Sequence, residues 1–141
     1  MADDGVMAIG PTTQQAGLGH STQSEVNRWT DAYFRRTREI VRRFGDTAVT
    51  YAVFMRRPVV SAPRLAINWL EAAMADRGAE IDIELRYGEG RWVGAGDPIL
   101  YITGSFEALV DCETQFLMQL GPPCVAAANA FTMCADLPNI D

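Results

Sequence analysis

The stretch Val93–Pro123, VGAGDPILYITGSFEALVDCETQFLMQLGPP, limits the fold more than any other part of the chain. A Gly-rich turn feeds the apolar strand PILYIT, which reaches Gly104 and passes at once into a helix. The spacing predicts a helix from Ser105 to about Leu120 with an apolar stripe of Phe106, Leu109, Val110, Phe116, Leu117 and Leu120. Glu113, seven residues after Phe106, falls inside that stripe. A carboxylate buried there without a partner costs on the order of 2–7 kcal/mol. It is therefore expected to sit at the rim of the helix, to ion-pair with an arginine, or to belong to a site.

Upstream, SEVNRWTDAYFRRTREIVRRFG carries Val26, Trp29, Tyr33, Thr37, Ile40, Val41 and Phe44 on one helical face, with Ser24 as a plausible N-cap and Gly45 as the stop. On that periodicity Tyr33 reads as a core aromatic, and Arg35, Arg36, Arg38, Arg42 and Arg43 as a solvated face. TAVTYAVFMRR alternates, with Val49, Tyr51, Val53 and Met55 to one side. SAPRLAINWLEAAMADRG predicts a second helix with Leu65, Trp69, Leu70 and Met74 inward and Gly78 as its end. EIDIELR alternates with Ile81, Ile83 and Leu85 inward. GPP, at 121–123, is expected to break the chain before a last helix from about Cys124 to Ala135. Antiparallel-looking strands among helices make an α+β domain over 23–121, preceded by a polar disordered tail, 1–22, and followed by a helical segment, 122–141.

Composition excludes several chemistries. All twelve basic residues are arginine, so no Schiff-base or P-loop lysine exists within the sequence. The single histidine, His20, lies in the polar tail, which leaves no His-based triad or two-His metal site. Cys112, Cys124 and Cys134 have no CxxC spacing and read as buried reduced thiols, with no metal site. A net charge of −6 argues against nucleic acid and anionic membrane as partners. Asp3 and Asp4 stand where a signal peptide needs positive charge, and no apolar run approaches membrane length; the chain reads as cytoplasmic. GEGRWVGAG has neither the spacing nor the following helix of a dinucleotide fingerprint.

Two motifs point to a family. TDAYFRRT, from Thr30 to Thr37, resembles the T-D-x-Y-F-x-R-T opening of archaeal and bacterial nicotinate phosphoribosyltransferases. The segment Gly96–Ala130 resembles their G-x-P-x-x-x-I-x-G strand and the E-T-x-x-L helix that follows it. VGAGDPI also looks like the G-D-P turn of biotinyl and lipoyl carrier domains, but those need an acceptor lysine. The phosphoribosyltransferase resemblance implies an N-terminal α/β sandwich of the type II class, normally followed by an α/β barrel whose mouth holds the active site. The implied reaction joins nicotinate to the ribose of phosphoribosyl pyrophosphate and releases pyrophosphate, a step in NAD biosynthesis. Magnesium rides on the leaving group and is held mainly by the barrel; ATP coupling stays open, as does nicotinate against nicotinamide.

By the same resemblance Tyr33 stacks on the pyridine ring across a homodimer or higher-oligomer interface, and Asp31, Arg36 and Thr37 order nearby backbone or contact phosphate. Glu113 and Thr114 occupy the E-T positions. The related quinolinate phosphoribosyltransferases resemble this segment as R-T-x-L-N, with the arginine binding the second carboxylate of quinolinate. A glutamate in its place is expected to repel that carboxylate and favour an acid with one. The resemblance places the barrel, and the catalytic groups with it, outside these 141 residues. The chain is then expected to be an incomplete, inactive portion of the enzyme, a truncated product, or the partner of a separate barrel chain. The alternative is a non-catalytic dimerisation or regulatory module derived from that fold.

Overall fold

A computed structural model describes residues 30–136. The expected tail, Ser24, Val26 and Trp29 lie outside the described residues. The elements in chain order are α1 (Ala32–Phe44), β1 (Ala48–Phe54), β2 (Val59–Val60), α2 (Arg64–Arg77), β3 (Ile81–Leu85), β4 (Trp92–Val93), β5 (Pro98–Ser105), α3 (Phe106–Leu109) and α4 (Glu113–Asp136). The architecture is α+β. An antiparallel sheet runs β1-β5-β3, and a two-stranded antiparallel ribbon joins β2 to β4.

β5 is the central strand, paired antiparallel with β1 on one edge and with β3 on the other. Ile99, Leu100 and Ile102 are buried, as is Val53 of β1, and α2 and α4 cover this face with Leu70, Met74, Phe116 and Leu120. The opposite face carries the exposed Thr50, Ala52 and Phe54 of β1 and Asp82 and Glu84 of β3. Period-two alternation in β1 and β3 is thus the signature of a sheet covered by helices on one side only.

Gly104 lies inside β5, and the strand continues to Ser105. A Cβ at Gly104 would stand 2.9 Å from Ile81 Cγ2 and 3.3 Å from both the Glu80 carbonyl oxygen and Leu109 Cδ1. Glycine is there because β3 and α3 both close onto the same backbone atom. Ser105 then caps α3, its Oγ accepting the Ala108 amide at 3.1 Å, and Asp46 accepts the Glu107 amide at 2.9 Å and the Ser105 hydroxyl. Strand and helix therefore meet without a loop because side-chain caps satisfy the first amides of the helix.

Two expectations about the helices fail. The predicted continuous helix after Gly104 is interrupted: α3 ends at Leu109, Val110–Cys112 form a turn, and α4 starts at Glu113. The interruption changes the helical phase, so Glu113 emerges exposed rather than inside the stripe. The prolines of GPP do not end the helix, which runs through Pro122 and Pro123 to Asp136. Each proline removes one amide from the ladder, but Cys124, fully buried beside them, accepts the Ala62 amide on Sγ at 3.4 Å and holds this turn of the helix against the core.

On α1 only Val41 of the predicted apolar face is buried among the described residues. Tyr33, Ile40 and Phe44 are exposed, Tyr33 by 70%, so the expectation of a core tyrosine from periodicity is corrected. On α2 Leu70 and Met74 are buried and Gly78 closes the helix with φ of 62°, as expected, whereas Leu65 is exposed.

Candidate functional site

Among the described residues the buried carboxylate is Asp111, in the turn between α3 and α4, with 1% of its surface exposed. Arg77 Nη1 of α2 lies 2.6 Å from Asp111 Oδ1, and Arg38 Nη1 of α1 lies 2.8 Å from Oδ2. Arg77 also donates to the Ala108 carbonyl at 2.6 Å, and Thr30 Oγ1 donates to the Asp111 carbonyl at 2.8 Å. One turn thus ties together α1, α2, α3 and α4. Arg38, expected on a solvated face, is instead a partner in this cluster, and Arg42 of the same helix pairs with Glu107. The sequence offered no local signal for the cluster, because Arg38 and Arg77 stand 73 and 34 residues from Asp111.

Glu113 follows two residues later and lines a half-open cavity of about 330 Å³. Its other lining residues are Tyr51, Ala52, Val53, Phe54 and Arg56 on and just after β1, Leu70 of α2, Ile102 of β5, Leu109 of α3, and Cys112, Phe116 and Leu117 at the start of α4. The lining is apolar apart from Arg56, Glu113, Cys112 and the Tyr51 phenol. Burial, and then the negative charge of Glu113, push the Tyr51 phenol above its ordinary value. Burial raises the Cys112 thiol to about 12, against the opposing pull of Arg77, so Cys112 is a packing residue and no nucleophile. Cys124 is buried too, and its thiol is likewise raised by burial. Cys134 is exposed, contrary to the expectation for all three cysteines.

The residues singled out in sequence fall into two groups. Asp31 is the N-cap residue of α1 and makes no side-chain capping bond. Tyr33 and Arg36 are exposed on the first turns of that helix, and Thr37 donates its hydroxyl to the Tyr33 carbonyl at 3.1 Å. Glu113 and Thr114 open α4. The bond from Thr30 to the Asp111 carbonyl brings the starts of the two helices to the same turn. Among the described residues no group of three or more His, Cys, Asp or Glu could hold a metal ion, and no helix is long and apolar enough to cross a membrane.

The structure is similar to that of nicotinate-nucleotide pyrophosphorylase from Pyrococcus furiosus, with a TM-score of 0.55 and 23% identity over 70% of this chain and 26% of that one. Nicotinate-nucleotide pyrophosphorylase from Francisella tularensis also matches, at a TM-score of 0.48 and 14% identity, over 67% of this chain and 35% of that chain. The chain spans about a quarter to a third of the length of these structures. No family model and no curated protein matches the sequence.

Proposed function

We propose that this chain is the N-terminal sandwich portion of a phosphoribosyltransferase of NAD biosynthesis, acting on a pyridine monocarboxylate and phosphoribosyl pyrophosphate in company with an α/β barrel. The supporting observation is the placement of Glu113-Thr114 on the first turn of a helix that leaves a sandwich similar in fold to nicotinate-nucleotide pyrophosphorylase. In this reading the barrel supplies the phosphate-binding groups and the magnesium that neutralises the leaving pyrophosphate. This chain supplies the pyridine side of the site. Glu113 discriminates between acids, since two like charges near 4 Å cost about 4 kcal/mol at an effective dielectric of 20. A second carboxylate on the ring is therefore rejected, and nicotinate is the acid accepted. Tyr33, already at the surface of α1, stacks on the ring across a subunit interface, and Asp31, Arg36 and Thr37 order the backbone around it.

The test is formation of nicotinate mononucleotide, measured for residues 1–141 alone and after co-expression with a type II phosphoribosyltransferase barrel. Turnover is expected only with the barrel. In the active assembly Glu113→Arg should move the kcat/KM ratio of quinolinate to nicotinate towards quinolinate. Equal loss for both acids would remove the specificity role and leave Glu113 as a structural residue of α4.

A further inference from the structure

The cavity beside Glu113 carries two opposite charges that the fold leaves unpaired. Arg56 and Glu113 both line it, and both are exposed. The ion pairs among the described residues are made by Arg38, Arg42, Arg77 and Arg86, so neither Arg56 nor Glu113 takes part in one. Each stands on backbone that is fixed by other contacts. Arg56 follows Met55, whose carbonyl accepts the Gly96 amide at 2.9 Å. Glu113 opens α4, and the Asp111 pairs with Arg38 and Arg77 hold the turn before it. A cation and an anion from distant parts of the chain thus meet one cavity without neutralising each other.

The rest of the lining is mostly apolar. Leu70, Ile102, Leu109 and Phe116 are buried and belong to the core, while Phe54 adds a half-exposed ring. Ala52 lines the cavity as well, and the hydrogen-bond pattern shows what its backbone offers. The Phe106 amide donates to the Thr47 carbonyl at 2.9 Å, and the register continues with Ala48↔Ser105 and Val49↔Gly104. Bonded and non-bonded pairs alternate along an antiparallel ladder. Val49, Tyr51 and Val53 therefore bond to β5, and Ala52 turns its N–H and C=O away from that strand. Among the described residues β1 has no second neighbour to take them. The volume of about 330 Å³ is at the lower end of the range for small-molecule sites, roughly 300–1000 Å³.

We propose that this cavity binds a free α-amino acid with a large apolar or aromatic side chain. Arg56 pairs with the carboxylate and Glu113 with the ammonium group, the Ala52 N–H and C=O serve the same two groups, and the side chain enters among Leu70, Ile102, Leu109 and Phe116. The lining selects a zwitterion, because an acid alone meets the repulsion of Glu113 and an amine alone meets that of Arg56. Glycine would carry both charges but bury no apolar surface. The inference goes beyond the phosphoribosyltransferase reading and uses no group of a barrel. Glu113 acts with the same sign in both: a charge that repels a second ring carboxylate attracts an ammonium group.

Calorimetric titration of the full chain with L-phenylalanine tests this. Saturable binding is expected. Phenylpropionate lacks the ammonium group, phenethylamine the carboxylate and glycine the side chain, and each should bind about tenfold or more weakly. Glu113→Gln should weaken L-phenylalanine and phenethylamine and spare phenylpropionate. Arg56→Gln should weaken L-phenylalanine and phenylpropionate and spare phenethylamine. Circular dichroism checks that each variant keeps the fold; if one does not, the analogue series on the parent chain decides. Absence of L-phenylalanine binding overturns the proposal, as does binding that ignores both substitutions or is matched by the three analogues. Nicotinate binding more tightly than L-phenylalanine would give the cavity to the pyridine acid and reject the amino acid. The titration contains no barrel and no phosphoribosyl pyrophosphate, so a failure of turnover with a barrel would sink the phosphoribosyltransferase reading and leave this one standing.

Discussion

Arg77 Nη1 stands 2.6 Å from Asp111 Oδ1, both side chains almost wholly removed from solvent, and the contact joins the end of α2 to the turn that starts α4. A second arginine, Arg38, holds the other carboxylate oxygen from α1. The start of the helix bearing Glu113 and Thr114 is therefore set by an ionic clasp and not by apolar packing alone.

Asp111→Asn leaves the shape nearly intact but removes the buried charge that pairs with two partly buried guanidinium groups. Breaking a buried pair in this way costs roughly 3–5 kcal/mol. Urea unfolding of the variant is expected to show a loss of that size. A change below about 1 kcal/mol, the range of exposed pairs, would mean that the clasp is open to water.

Gly104→Ala places a methyl group 2.9 Å from Ile81 Cγ2. Overpacking of this kind costs typically 1–3 kcal/mol, read as a lower midpoint in denaturant. Shortening the opposing side chain with Ile81→Ala in the same chain should make the Gly104→Ala penalty smaller than it is alone. Simple additivity of the two effects would argue against a direct clash.

The Tyr51 phenol is raised first by burial and second by the Glu113 charge. Glu113→Gln removes the second cause only. In an ultraviolet titration one tyrosine should ionise at lower pH in the variant than in the parent, while staying above the ordinary phenol value. An unchanged titration curve would place Glu113 too far from the cavity wall to matter there.

Thiol reactivity should divide the cysteines. At mildly alkaline pH Cys112, with its thiol at about 12, is almost entirely protonated, and Cys124 is raised in the same sense. Ellman's reagent is therefore expected to titrate Cys134 quickly and the other two only after denaturation. Rapid modification of all three in the native chain would contradict the burial of this layer.

Asp46 is held below the usual carboxylate value, first by the Ser105 hydroxyl and then by the Glu107 amide. A carboxyl depressed on folding contributes stability that is complete above its unfolded value and is lost as pH falls through the folded one. The join of β5 to α3 should therefore loosen in the acid range below ordinary aspartate titration. Asp46→Asn should flatten that part of the stability-against-pH curve, measured by thermal melts in a buffer series.

Local rules were enough to read much of the fold. Alternation in β1 and β3 and the apolar run of β5 follow from which faces of each strand meet the core, and Gly78 ends α2 because only glycine takes its left-handed conformation without strain. The sequence also marked Glu113 as unusual, though for a reason the structure removes: a break of three residues at Val110–Cys112 shifted the helical phase and exposed it. That break depends on Asp111 reaching two arginines far away in the chain, which no window of neighbouring residues contains. The continuation of α4 through Pro122 and Pro123 was decided in the same way, by packing of Cys124 against the core that offsets two missing amides. On α1 periodicity placed Tyr33 inward, but a 3.6-residue repeat says only which residues share a face. Whether that face meets a core is settled by the contacts at its ends, and here Arg38, Arg42 and Thr30 turn Tyr33 outward. Spacing alone determined the elements and their apolar faces; ion pairs distant in sequence determined where the helices begin and which faces they bury.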